Sequence, residues 1–317
     1  MLDLKNCSYK EAQLVKAEHL KSGDRVAVVS LASTPFKEKF DRGIKFLKDY
    51  GLDVVIDEHI FDEYGYLAGS DKTRADILNE YFGDKSIKAI FSTCGGYGSG
   101  RILPYLDFDI ICKNRKIFVG YSDITSLHLA LNKKCGLITF YGQMVAVDLG
   151  KDENSHTLMR YLMDKAFTPV FKFDAMRPLN KGIARGKLFG GCLTLVDALI
   201  GTEFEVESKD SIFFFEEVEE HFHDIDRMLL HLKLSKKLEE FNGFLAGDMV
   251  DITQKDKKRA TLTLDEIYRE YLIETNKPVI SNFPSGHGEV FVPLPLGVSV
   301  ELNADENYVK IIEGSVS

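Results

Sequence analysis

A chain of 317 residues that is 44% hydrophobic and 28% charged is long enough for two domains and apolar enough to bury a core, which excludes a largely disordered protein. Its 49 acids against 40 bases leave a net charge of -9, which argues against a nucleic-acid partner, since such binding wants a basic stripe. No apolar run reaches the ~18–20 residues of a membrane span. Met1 to Lys21 mixes charges with isolated apolar residues and has no signal-peptide core, so a cytoplasmic protein without a membrane partner is expected. The five cysteines (Cys7, Cys94, Cys112, Cys135, Cys192) are odd in number and contain no C-x-x-C pair, so reduced, structural thiols are expected.

In chain order, Arg25 to Ser30 reads as a buried strand, and Phe36 to Tyr50 places Phe36, Phe40, Ile44 and Leu47 on one helical face. Leu52 to Ile56 is a second strand and Thr73 to Phe82 a second helix. Lys88 to Ser92 is a third strand, followed by a glycine cluster and a short helix through Ile102 to Leu106. Lys116 to Gly120 is a fourth strand, running through Tyr121-Ser122-Asp123 into a helix that reaches Leu131. Leu137 to Tyr141 is a fifth. Strands alternating with helices of this length predict a parallel, doubly wound α/β sheet.

After Gly150 the rhythm loosens. Lys151 to Asn154, a short helix and Arg177 to Arg185 read as a connection between domains, with a boundary at 165/166. The second half mixes strands (Ile212 to Phe215, Phe244 to Val250, Pro278 to Phe283, Val298 to Leu302, Tyr308 to Ile312) with helices, which makes 166–317 a second α/β or α+β domain.

Four local features could carry chemistry. Ser122 lies on a turn between an apolar strand and a helix, where a hydroxyl is exposed at the carboxyl edge of the sheet. The bland alternative is that Ser122 or Asp123 caps the helix. Ile212 to Phe215 runs into Glu216-Glu217, and strand alternation sends these acids to opposite faces, so at most one points at a given site. His287 sits between glycines, in a loop whose backbone can approach other groups closely. His128 falls within a helix and reads as a packed or surface residue. His221-Phe222-His223-Asp224 has metal-like spacing but no HExxH or cysteine partner cluster. Cys94 to Arg101 is a glycine-rich turn that meets neither the P-loop nor the dinucleotide spacing, which leaves donation of backbone N–H groups to an oxyanion.

Taken together, these pieces resemble the LD-carboxypeptidases of peptidoglycan recycling and the related microcin-immunity peptidases. The markers run in order from Gly23-Asp24-Arg25-Val26 to Pro295-Leu296-Gly297-Val298. Between these lie Gly95-Gly96-Tyr97-Gly98, Gly120-Tyr121-Ser122-Asp123, Gly190-Gly191-Cys192-Leu193, Phe215-Glu216-Glu217 and Gly286-His287-Gly288. Two positions depart from the family pattern: Cys94, where arginine is frequent, and Cys192, where asparagine is common.

The resemblance implies a serine peptidase with nucleophile Ser122, acid Glu216 and base His287, and an oxyanion hole from the N–H groups of Gly96 and Asp123. It implies a flavodoxin-like or class I amidotransferase-like N-terminal sheet and a C-terminal domain of swivelling-barrel type. It further implies hydrolysis of the L,D bond before the terminal D-alanine of a murein tetrapeptide, no cofactor or metal, and a possible homodimer. Two alternatives stay open: a microcin-type hydrolase of aminoacyl-nucleotide analogues, and a catalytically inactive binding module on the same fold.

Overall fold

The computed structural model describes residues 14–254 and 258–317. Five strands, β1 (Arg25–Val29), β2 (Asp53–Ile56), β3 (Ile87–Ser92), β4 (Ile117–Gly120) and β5 (Thr139–Tyr141), pair in parallel in the spatial order β2-β1-β3-β4-β5. The runs Val-Ala-Val-Val in β1 and Ile-Phe-Val-Gly in β4 are wholly buried. A parallel sheet with both faces covered demands such continuous apolar strands, which is why they do not alternate. Strand order reverses between β1 and β3, and open α/β sheets of this kind leave a crevice there, beyond the carboxyl ends of the strands.

The helix Lys37–Asp49 buries Phe40, Ile44 and Leu47 as the periodicity predicts, but Phe36 is 74% exposed. Phe36 follows Pro35 and occupies the N-cap with extended backbone, so it stands outside the helical repeat.

The remaining strands are β6 (Val170–Phe171), β7 (Arg177–Asn180), β8 (Ile183–Cys192), β9 (Ser211–Val218), β10 (Gly243–Val250), β11 (Val279–Ser281), β12 (Leu294–Leu296), β13 (Ser299–Asn303) and β14 (Tyr308–Ile311). All but β12 form a mixed sheet in the order β6-β14-β13-β8-β9-β10-β11-β7, with β8 to β11 parallel and the flanking pairs antiparallel. Arg177 to Arg185 is therefore no linker, since it supplies β7 and the start of β8. Glycines at 182, 186, 190 and 191 hide this long strand from a pattern reading.

Strand β12 leaves its neighbours in sequence and extends the first sheet, antiparallel to β5, with Leu294 opposite Tyr141. Pro295 is tolerated because β12 is an edge strand. Along β9, Phe213 and Phe215 pack into a cluster with Leu229, Leu232 and Phe241, whereas Phe214 belongs to the core that includes Tyr141 of the first sheet. Period-two alternation thus puts Glu216 on the face of β9 that meets the first sheet.

The cysteine expectation is corrected. Cys112 and Cys135 form a disulfide, their Cα atoms 4.8 Å apart, while Cys94 and Cys192 are free. Cys7 lies outside the described residues. The pair is separated by 23 residues and depends on where two helix ends meet, which spacing alone does not reveal. Among the described residues, no helix is long and apolar enough to cross a membrane.

Candidate active site

At the carboxyl end of β4 the chain passes through extended Tyr121 into Ser122 at φ +61° and then a 3-10 turn, Ser122–Ile124, that leads into the helix Thr125–Cys135. Positive φ is uncommon for a residue with a Cβ and is tolerated where the surroundings fix it. Here the Ser122 N–H donates to the Tyr141 hydroxyl at 3.1 Å. Tyr121 occupies the N-cap of this turn and makes no side-chain capping bond to it.

The three predicted side chains converge, although 71 and 165 residues of sequence separate His287 from its two partners. His287 Nε2 lies 3.0 Å from Ser122 Oγ, and its Nδ1 lies 2.8 Å from Glu216 Oε2. Glu216 also accepts from the Tyr141 hydroxyl through Oε1 at 2.6 Å, so both its oxygens are occupied by donors. With Nδ1 donating to the carboxylate, Nε2 carries a lone pair that faces the serine hydroxyl.

The His287 loop is pinned to the end of β10, where Phe283 N–H donates to Ala246 O and Asp248 N–H donates to Ser285 O. Gly286, at φ +138°, runs so close to the acid that a Cβ there would come within 2.5 Å of Glu216 Oε2. Glu217 turns to the other face as alternation requires. It accepts from Thr194 N–H at 2.7 Å and from the Cys192 thiol at 3.5 Å, so Cys192 touches Glu217.

The glycine-rich turn after β3 faces the serine. A Cβ on Gly95 would lie 3.1 Å from Ser122 Oγ and 3.3 Å from the Asp123 backbone nitrogen, so a side chain there would crowd the serine. Gly96 follows at φ +100°. The Asp123 carboxylate points away from Ser122 and accepts from Ser99 N–H at 2.7 Å, tying the turn to the serine segment. His128 is fully buried and bonds to Gly120 O at 2.8 Å, a packed role. His221 and His223 stack on each other with ring centroids 5.4 Å apart.

A cavity of about 310 Å³ opens over this constellation, lined by Ser33 to Phe36, Lys39, Cys94 to Gly96, Tyr121, Ser122, Met144, Ala146, Val147 and His287. Lys39 is the one lysine or arginine among these lining residues. The Cys94 thiol donates to Ser33 O, and burial pushes its pKa up to about 11, so it is a neutral wall of the cavity.

Sequence reading missed Tyr141, Lys39 and the outward Phe36. Tyr141 carried one usable signal, its position at the carboxyl end of the strand after the serine-bearing one.

Burial opposes charge on His287, but the hydrogen bond and charge of Glu216 outweigh it and hold the imidazole above its ordinary 6.5. An imidazole that is to serve as a base must be neutral, so activity resting on it would be lost as pH falls through that raised pKa. We expect kcat/KM to rise with pH along a limb centred above 6.5. A pH profile of peptide hydrolysis checks this, and a limb centred below that value would contradict it.

The described geometry is a serine, a histidine and a buried carboxylate aligned under a small cavity on a two-sheet α/β fold. The profile of the LD-carboxypeptidase N-terminal domain matches residues 26–142, and that of the C-terminal domain matches residues 185–302. The chain belongs to the LD-carboxypeptidase family of peptide hydrolases. It is 35% identical over 306 residues to a probable murein peptide carboxypeptidase of Bacillus subtilis (strain 168), covering 95% of each chain. It is 28% identical over 335 residues to the microcin C7 self-immunity protein MccF of Escherichia coli, covering 95% of this chain and 96% of that one. Among solved structures, MccF in complex with glutamyl sulfamoyl guanosine superimposes with a TM-score of 0.86 at 25% identity, covering 95% of this chain and 99% of that one. In fold, the chain also resembles muramoyltetrapeptide carboxypeptidase from Oxalobacter formigenes, with a TM-score of 0.78 over 90% of this chain and 97% of that one at 24% identity.

Proposed function

We propose that this chain is a serine-type LD-carboxypeptidase that hydrolyses the L,D peptide bond before the terminal D-alanine of murein tetrapeptides. The observation that carries the reading is the continuous hydrogen-bond chain from Ser122 through His287 to Glu216, at 3.0 and 2.8 Å. The likeness to the murein peptide carboxypeptidase supports the substrate.

In this mechanism Ser122 Oγ attacks the scissile carbonyl carbon while His287 Nε2 takes its proton. Glu216 holds the tautomer and stabilises the imidazolium. The tetrahedral oxyanion is received by backbone N–H groups of Gly96 and Asp123. The Ser122 N–H is already committed to Tyr141. Collapse expels the D-alanine amine, which takes the proton from His287. Water, deprotonated by the same imidazole, then attacks the acyl-enzyme and releases the tripeptide. Lys39 on the cavity wall is the cation we assign to the substrate's terminal carboxylate.

The partner is a small peptide and no nucleic acid, the assembly a homodimer, and the site of action the cytoplasm. The disulfide sits at the end of the helix Thr125–Cys135 remote from Ser122, about 16 Å along its axis.

The microcin-type reading keeps the same three residues and changes the leaving group. Exposed Phe36, on the cavity wall, would offer the nucleobase a stacking surface. The two readings separate on relative kcat/KM for a murein tetrapeptide and for an aminoacyl sulfamoyl adenosine. We expect the tetrapeptide to be preferred by at least about tenfold, a difference of ~1.4 kcal/mol in transition-state binding. The opposite preference would transfer the assignment to the microcin type, and turnover of neither would leave the binding module.

A further inference from the structure

Tyr141 is the last residue of β5, opposite Gly120 of β4, and is fully buried. Its ring is held edge-on against Tyr121, Phe214 and Phe291, at centroid distances of 6.0, 5.3 and 6.1 Å. A phenol hydroxyl has one proton to donate and lone pairs to accept with. Both capacities are used here: it donates to Glu216 Oε1 at 2.6 Å and accepts from Ser122 N–H at 3.1 Å. One atom on the first sheet thereby joins the backbone of the serine to the carboxylate on the second.

We propose that Tyr141 is a positioning residue for the hydrolysis, a hydroxyl that locks the orientation of Glu216 and holds the Ser122 N–H out of the oxyanion site. The proposal rests on the Ser122-His287-Glu216 reading given above. With Oε1 fixed by Tyr141, Oε2 has one direction left, toward His287 Nδ1. With Ser122 N–H drawn to the phenol, the serine keeps its left-handed backbone and the oxyanion falls to the neighbouring amides. The same hydrogen bond shares part of the Glu216 charge, which restrains how strongly that carboxylate favours the imidazolium. Burial and the charge of Glu216 push the phenol's own ionisation well above 10, so it remains a donor throughout the working pH range.

Tyr141→Phe removes the hydroxyl and keeps the ring. D-alanine release should fall about 10- to 100-fold in kcat, the loss of one hydrogen bond to a charged group, with KM nearly unchanged. The acidic limb of kcat/KM should move to higher pH, because Glu216 then holds the imidazolium more tightly. The other carboxylates whose charge acts on His287, namely Asp148, Glu217 and Asp248, are the same in both proteins. In a Glu216→Gln background the same substitution should cost clearly less than in wild type, since the part of its effect that runs through the carboxylate is already lost.

3-Fluorotyrosine placed at position 141 keeps both bonds and makes the hydroxyl a stronger donor. It should move the limb the other way, to lower pH, and it serves if the phenylalanine variant does not fold. A limb that stays in place, or an equal loss of kcat with and without the Glu216 carboxylate, would overturn the role of Tyr141. If wild type releases no D-alanine, the functional reading itself fails first, so the two failures are distinguishable.

Discussion

Glu216→Gln is expected to lower kcat for D-alanine release by about four orders of magnitude in a protein that still folds. The substitution keeps size and shape, so the packing of Phe213 to Phe215 around it is unchanged and stability should stay within about 1–3 kcal/mol of wild type. What changes is direction. The Tyr141 hydroxyl donates to the outer arm of residue 216, so the new amide must place its oxygen there. Its NH₂ then faces His287 Nδ1, which is forced to accept. The ring proton moves to Nε2, the atom 3.0 Å from Ser122 Oγ, and an N–H there cannot take the serine proton. Steady-state kinetics on a murein tetrapeptide, with a melting curve as control, measures both halves. A variant within about tenfold of wild type would mean that Glu216 does not orient the base.

How much of this was legible before the fold was known depends on how local the cause is. The first sheet could be read strand by strand, because β1, β3 and β4 are almost wholly buried and each carries three or four consecutive apolar residues. Ser122 could be singled out because a strand entering a helix through Gly-Tyr-Ser is a local event. Glu216 against Glu217 was reduced to a choice of one by alternation alone, and the face that packs on the first sheet decides it.

The failures are all non-local. β8 carries too many glycines to look like a central strand, and β12 is three residues long with a proline in the middle. Phe36 fitted the helical period but stands one position before the helix, where it lines the cavity instead of the core. The Cys112–Cys135 bond follows from the meeting of two helix ends. Tyr141 owes its place to the pairing of β5 with β4 and to the approach of β9, neither of which is written in the residues around it.

The reading as a whole stands on Ser122 as the nucleophile, and the expected consequence of its removal is large. Ser122→Ala deletes the attacking atom and leaves the His287–Glu216 bond and the cavity in place. Loss of a nucleophile of this kind lowers turnover by about a million-fold, below detection in an ordinary assay. Alanine must still adopt φ +61°, which serine already does at a similar steric cost, so the variant should fold. The measurement is D-alanine released from a murein tetrapeptide by wild type and by Ser122→Ala, side by side at equal concentration. Release by wild type alone is the predicted result. Release by both proteins would contradict the assignment of Ser122, and release by neither from folded protein would contradict the carboxypeptidase reading.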